Sequence, residues 1–319
     1  MRIFAFSCVL LLATVAAAQE KTERPTQAQI VATYDKKEYQ ECLKQLAQVL
    51  PLTGKAAEGY DRFALLNIKG ECLLQTKQKD PAGYAFAEAA KATKNDKDAA
   101  TALATSLLIK RSEINGYKPK TGDNHDLVPI VDPAARPAAL SALWNDERSV
   151  AADRVKDATR GKSLPGIANA AKSLSGLDVL ELAATSTTAK TEAMAKSLAD
   201  HAGTVIDSAL DADDKSIAAI EKSAKEYIEI VVDDIDPRTK KKIQRKERVQ
   251  KGLSDQDKRK LEEIVDTSIK ISSAVQDLQR LFGKAGAGLK THDDHAGSVK
   301  KKAREVLTYR YDTDGKKSK

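Results

Sequence analysis

Aromatic residues make up only 4% of this 319-residue chain, and tryptophan occurs once, as Trp144. Hydrophobic content reaches 41%, but much of it is alanine, which favours helix while burying little area. A thick globular core is therefore a poor fit, and long, thin helical packing is a good one. Cysteine is equally sparse: beyond Cys8 only Cys42 and Cys72 occur. After the first eighteen residues there is no apolar run long enough to cross a bilayer. Neither sign of charge dominates. The 53 basic and 46 acidic residues leave a formal +7, and they are well mixed. A pI near 9.0 is compatible with a polyanionic partner, although a solvated helical surface explains the balance as simply. No serine or cysteine lies in a recognisable nucleophile context, so no catalytic residue and no cofactor are nominated.

What is present begins with an export signal. Arg2 supplies a positive start, residues 3–17 an apolar run, and Ala16, Ala17 and Ala18 a small-residue cleavage site before Gln19. The expectation is an exported protein, periplasmic, cell-surface or extracellular, cleaved after Ala18. In an oxidising compartment Cys42 and Cys72 form either a disulfide or two buried thiols packed as small apolar groups. Distance decides between them, and sequence does not supply it.

The best-defined stretch is residues 66–89, LNIKGECLLQTKQKDPAGYAFAEA. It reads as an apolar helix, a polar turn and a second helix rich in small residues. Leu66, Gly70, Leu73, Ala82, Phe86 and Ala89 fall at offsets of 0, 4, 7, 16, 20 and 23. An earlier pair, residues 26–50, carries Ile30, Tyr34, Tyr39, Cys42, Leu43, Leu46 and Val49 at three- and four-residue steps. Setting Cys42 on Ala82 places Leu46 on Phe86 and Val49 on Ala89, 40 residues apart. This ladder resembles the tetratricopeptide repeat, whose paired helices interlock through small residues. The resemblance covers residues 26–112 and is partial: Lys69 stands where that family has a leucine, and its closing proline is absent. It implies a surface that binds another protein and performs no chemistry. A third helix, residues 98–112, is expected to cap the stack.

Residues 115–137 hold Gly116, Pro119, Gly122, Pro129, Pro133 and Pro137, and read as a linker between domains. Residues 138–308 then read as an elongated helical, coiled-coil-like domain, so the fold class expected is all-α. Helical patterns cover residues 138–159, 167–174, 177–211 and 215–232, the last ended by Pro237. The longest regular pattern is residues 254–282. Ser254 and Asp257 have capping-box spacing, and Ile264, Ser268, Ile271, Val275, Leu278 and Phe282 alternate four and three apart, as in a coiled-coil seam. Gly283 stops it, a short helix is expected over residues 297–307, and residues 309–319 read as a disordered tail.

Three stretches invite chemistry. Residues 283–291, GKAGAGLKT, echo a phosphate-binding loop, but Leu289 breaks the Gly-Lys adjacency and no strand precedes it, so a helix-ending hinge is expected. His292, Asp293, Asp294 and His295 stand in a row as potential metal ligands, yet no further His or Cys lies nearby, and no metal site is assigned. His125 and His201 read as packed or solvated, and Trp144 as core. The basic segment 238–260 includes Lys240, Lys241, Lys242, Arg245, Lys246 and Arg248, and is read as a solvated helix balanced by preceding acidic residues. Such density also suits an anionic polymer, whereas the lack of an aromatic residue and the export signal speak against nucleic acid. The leading expectation is an exported, non-catalytic interaction or scaffold protein. Polyanion binding is the alternative, and an enzyme without a recognisable motif the third.

Overall fold

The computed structural model describes residues 24–113, 116–123 and 125–313. The expected signal, its cleavage site, Cys8 and residues 314–319 of the expected tail lie outside them. Among the described residues the fold is all-α apart from one two-stranded sheet. Its contacts divide it into two units, Met1–Thr93 and Lys94–Lys319.

The first unit consists of two helix pairs. Helices α1 (Gln27–Asp35) and α2 (Tyr39–Val49) form one; α3 (Arg62–Gln75) and α4 (Lys79–Ala92) form the other, after a 3₁₀ turn at Gly54–Ala57. Thr26 opens α1 with a capping box, its hydroxyl accepting the Gln29 N–H while the Gln29 side chain accepts the Thr26 N–H. Asp61 caps α3 by accepting the Ala64 N–H at 3.0 Å. Each pair turns on a lysine in the left-handed region, Lys37 at φ 63° and Lys77 at φ 61°. At the first turn the Lys37 N–H donates to the Tyr34 carbonyl and the Glu38 N–H to the Thr33 carbonyl. At the second, Lys77 donates to Leu74 and Gln78 to Leu73. Both are Schellman motifs, displaced by the same 40 residues as the apolar ladder. The pairs thus repeat in backbone hydrogen bonding as well as in side-chain pattern. Their shared core gathers Ile30, Cys42, Leu46, Val49, Leu65 and Cys72.

Leu66, Gly70 and Leu73 lie buried in α3, and Ala82, Phe86 and Ala89 lie buried in α4. A Cβ added at Gly70 would stand 2.7 Å from Cε2 of the Phe86 ring, so only glycine leaves room for that ring as it lies. Leucine at Gly70 or at the fully buried Ala82 should overpack the pair and cost about 1–3 kcal/mol. The measurement is the thermal or denaturant midpoint. Unchanged midpoints in both variants would mean the helices do not meet there.

The second unit contains α5 (Asp96–Arg111), α6 (Arg136–Arg160), α7 (Leu164–Leu174), α8 (Leu177–Thr185), α9 (Ala189–Lys225), α10 (Asp255–Phe282) and α11 (Lys290–Thr308). Helix α9 is its spine and packs on α6, α7, α8, α10 and α11. Helix α10 begins with the expected capping box: Ser254 Oγ accepts the Asp257 N–H at 3.1 Å, and the Asp257 carboxylate accepts the Ser254 N–H at 3.3 Å. Ile264, Ser268, Ile271, Val275, Leu278 and Phe282 are all buried, against α7, α9 and, most extensively, α11. Gly283, at φ 53°, ends the helix.

Several sequence expectations are corrected here. Helix α5, expected to cap the stack, falls in the second unit, where its small-residue face, Ala100 and Ala104 beside Leu108 and Ile109, packs on α6 and α8. Residues 115–137 are not merely a linker, because Tyr117 pairs with Val128 and is buried. The break expected between residues 211 and 215 is absent, and α9 runs through it. Asp214 there faces α11, as described below. The break falls instead at residues 186–188, where Ser186 takes φ 65° in a run of hydroxyl residues that compete for backbone hydrogen bonds.

The largest correction concerns residues 226–250. The helix expected over 215–232 ends at Lys225, and residues 242–250 of the basic segment form a strand rather than a helix, while residues 255–260 open α10. β1 (Tyr227–Ile235) and β2 (Lys242–Gln250) form an antiparallel hairpin. Ile228, Ile230, Val231 and Val232 favour strand because β-branched side chains are crowded on a helix. The turn is held by Asp236, which accepts from the Arg238 N–H and the Thr239 hydroxyl, with Lys240 at φ 56°. Downstream, residues 283–289 form a 3₁₀ turn, and α11 starts earlier than expected, at Lys290. Residues 309–313 are not loose: Tyr311 donates its hydroxyl to the Val306 carbonyl, and the Gln250 N–H donates to the Asp312 carbonyl.

Candidate functional site

The hairpin arranges the basic residues by strand alternation. One face pairs Glu229 with Arg248, Val231 with Lys246 and Ile235 with Lys242; the other pairs Ile228 with Val249, Ile230 with Glu247 and Val232 with Arg245. Lys242, Lys246 and Arg248 thus share a face, Arg245 lies on the opposite one, and Lys240 and Lys241 belong to the turn. The positive charge is partly answered within the hairpin. Lys246 lies 3.6 Å from Glu229, Arg245 pairs with Glu247, and the Arg248 guanidinium sits 5.2 Å from the centre of the Tyr227 ring. Tyr227, Ile228, Val231, Ile235 and Ile243 are exposed, which is unusual for apolar residues grouped on one element.

The histidine row resolves into contacts with carboxylates of α9. Nδ1 of His292 is 2.7 Å from the Asp207 carboxylate of α9. His295 lies 3.6 Å from both Asp207 and Asp214, and Lys302 reaches Asp214 at 2.9 Å. Asp293 instead accepts from Ser272 of α10, and Asp294 is exposed. Each imidazole is therefore occupied by a carboxylate of α9 and holds α11 in place. Among the described residues no group of three or more His, Cys, Asp or Glu is placed to hold a metal ion. Nearby, burial raises the Asp213 carboxyl above the usual range; Lys260 opposes that shift and Asp214 adds to it. His201 contacts the Gly161 carbonyl at 2.9 Å and is half-buried, whereas His125 contacts the Pro119 carbonyl at 3.2 Å and is exposed. Trp144 is buried, as expected.

Among the described residues, the open grooves of the second unit include three along its helices. One of about 630 Å³ runs by Arg154, Asp157, Ser163 and Lys172. Another of about 520 Å³ follows α9 and α11 past Asp214, Glu221, Lys302 and Tyr309. The third, about 230 Å³, ends at Asp207 and His292. Acidic and basic side chains line the first two in mixture, the third carries Asp200, Asp207 and His292, and none brings a nucleophile to a base.

Two buried carboxylates escaped the sequence reading. Asp146, on α6, accepts from the Tyr117 hydroxyl at 2.5 Å, the Lys120 N–H at 2.8 Å, and the Thr121 N–H and hydroxyl at 2.7 and 2.5 Å. Burial works against its ionisation. The bonds from Thr121 and Tyr117 and from the two N–H groups outweigh it and hold the carboxyl below the usual range. Burial and the adjoining Asp146 push the Tyr117 phenol upwards. Glu181, 1% exposed on α8, accepts the Lys190 and Thr191 N–H groups and so caps α9 from outside its own chain segment. Each carboxylate is spent on backbone donors, which marks it as structural. A carboxylate among apolar helix neighbours was the only sequence signal.

No family model matches this chain, and no curated protein matches it. No helix among the described residues is long and apolar enough to cross a membrane.

Proposed function

We propose that this chain is an exported, non-catalytic interaction or scaffold protein of the cell envelope or exterior, binding a protein partner through its tetratricopeptide-like helix pairs. The observation that carries this reading is the 40-residue recurrence of the Schellman turns at Lys37 and Lys77 together with the apolar ladder. Stacked helix pairs leave whole helix faces available, and here α4 presents Tyr84 at 69% exposure. Export rests on residues 1–18 alone.

The test places a photo-crosslinking residue at Tyr84 in the full mature chain, with the exposed Lys270 of α10 as control, in cells that make the protein. A discrete crosslinked partner from Tyr84 and none from Lys270 is the expected result. Crosslinks of equal yield from both sites would overturn the reading. A second reading has its own observation, the cations of Lys242, Lys246 and Arg248 on one hairpin face. It requires binding to an anionic polymer that falls steeply with salt and is lost when all three become glutamine.

A further inference from the structure

We propose that Cys42 and Cys72 join in an intramolecular disulfide that ties the first helix pair to the second. They are the two cysteines of the described residues, and both are wholly buried in one apolar cluster where α2 packs on α3. The two thiols meet there within hydrogen-bonding reach of each other.

The internal repeat supplies an independent reason. Shifted by 40 residues, Cys42 corresponds to Ala82 and Cys72 to Ala32. Ala82 is buried in α4 as Cys42 is in α2, so packing there asks for a small residue in both copies. Ala32, by contrast, is exposed on α1, whereas Cys72 is wholly buried beside Cys42. The second cysteine is therefore a departure from the repeat that falls where its side chain meets the first.

The bond forms by thiol–disulfide exchange with an exogenous disulfide, either a protein oxidant or oxidised glutathione. The hydrogen bond from Cys72 favours ionisation of Cys42, while the same bond and burial disfavour it at Cys72. Either thiolate attacks first, forming a mixed disulfide and releasing one thiol. The other thiol then loses its proton and attacks the protein sulfur of that mixed disulfide, releasing the second thiol. One external disulfide is reduced to two thiols as two protein thiols become one disulfide. Because both sulfurs are 0% exposed, exchange takes place before the helix pairs close or through their local opening.

The experiment equilibrates the full chain in glutathione buffers from reducing to oxidising, then alkylates under denaturing conditions and identifies modified peptides by mass. Reading by peptide keeps Cys8 separate. In oxidising buffer the peptides of Cys42 and Cys72 should be linked to each other, lighter by two hydrogens and unalkylated. The thermal midpoint of the oxidised chain should rise by about 10 °C over the reduced one, since the bond closes a long loop in the unfolded state. The double variant Cys42→Ala, Cys72→Ala should show no difference between buffers. Free thiols, glutathione adducts or chain-to-chain links at these positions under oxidising conditions would overturn the proposal, as would an equal midpoint shift in the double variant.

Discussion

Aspartate in place of Ile271 should unfold the packing of α10 on α11, while the same change at neighbouring Lys270 should be nearly silent. Ile271 is 5% exposed and lies midway along a seam whose members Val275 and Leu278 are equally enclosed. A carboxylate placed there must lose its water among aliphatic neighbours or take up a proton, and either course costs several kcal/mol. The expected loss is about 4–5 kcal/mol, at the extreme of single substitutions. Lys270 is exposed on the far side of the helix, where a change of charge shifts stability by roughly 0.5 kcal/mol or less. Helicity by circular dichroism and the denaturation midpoint of the two variants decide the matter. Equal losses would mean that the seam is misplaced and that α10 does not bury this stripe.

The second large effect should come from Asp146. Its replacement by alanine strands the Tyr117 hydroxyl, two backbone N–H groups and the Thr121 hydroxyl around a site that is 5% exposed. Water can rescue the donors near the exposed Lys120 but not the buried Tyr117, so a loss of about 3 kcal/mol is expected. Asparagine is only a partial remedy, since its amide group presents hydrogens to donors. The effect also has a pH signature. The folded carboxyl lies below its unfolded value of about 3.9, so its contribution is fully present above that value. It is lost as pH falls through the lower, folded value. The gap between the original protein and Asp146→Ala should therefore be constant near neutrality and close in acid. A gap that stayed unchanged at acid pH would show that the carboxylate is not the stabilising species.

The helices were legible because their periodicity is strong and their ends are signed. The Ser254–Asp257 capping box and Gly283 bound α10 within a residue of the expected limits, and its seam needed nothing beyond spacing. The hairpin was misread for a specific reason. Tyr227 and Val231 are four apart, a spacing that one helix face and one strand face satisfy equally. Following Ile217, Ile220 and Ala224, they prolonged the helical pattern, and the β-branched run from Ile230 to Val232 was the contrary signal. The acidic stretch near Asp211–Asp214 failed as a boundary because the partners of Asp214, His295 and Lys302, lie some 80 residues later in the chain. Pairing over such separations leaves no local trace. The same holds for Asp146 and Glu181, whose burial follows from donors supplied by other segments.

The hairpin also behaves as a separable insert. At its root the Lys251 N–H donates to the Glu226 carbonyl and the Gly252 N–H to the Ala224 carbonyl, so the strand ends are already joined where they leave α9 and approach α10. Apart from Val249, little of its side-chain surface is taken up by the helices. Exchanging residues 228–248 for a tight turn would shorten a closed loop, a change that chain entropy favours slightly. The scaffold of α9, α10 and α11 would be left whole. The position is thus a natural port, where lineages or protein engineers can exchange one recognition element for another without redesigning the helices beneath it.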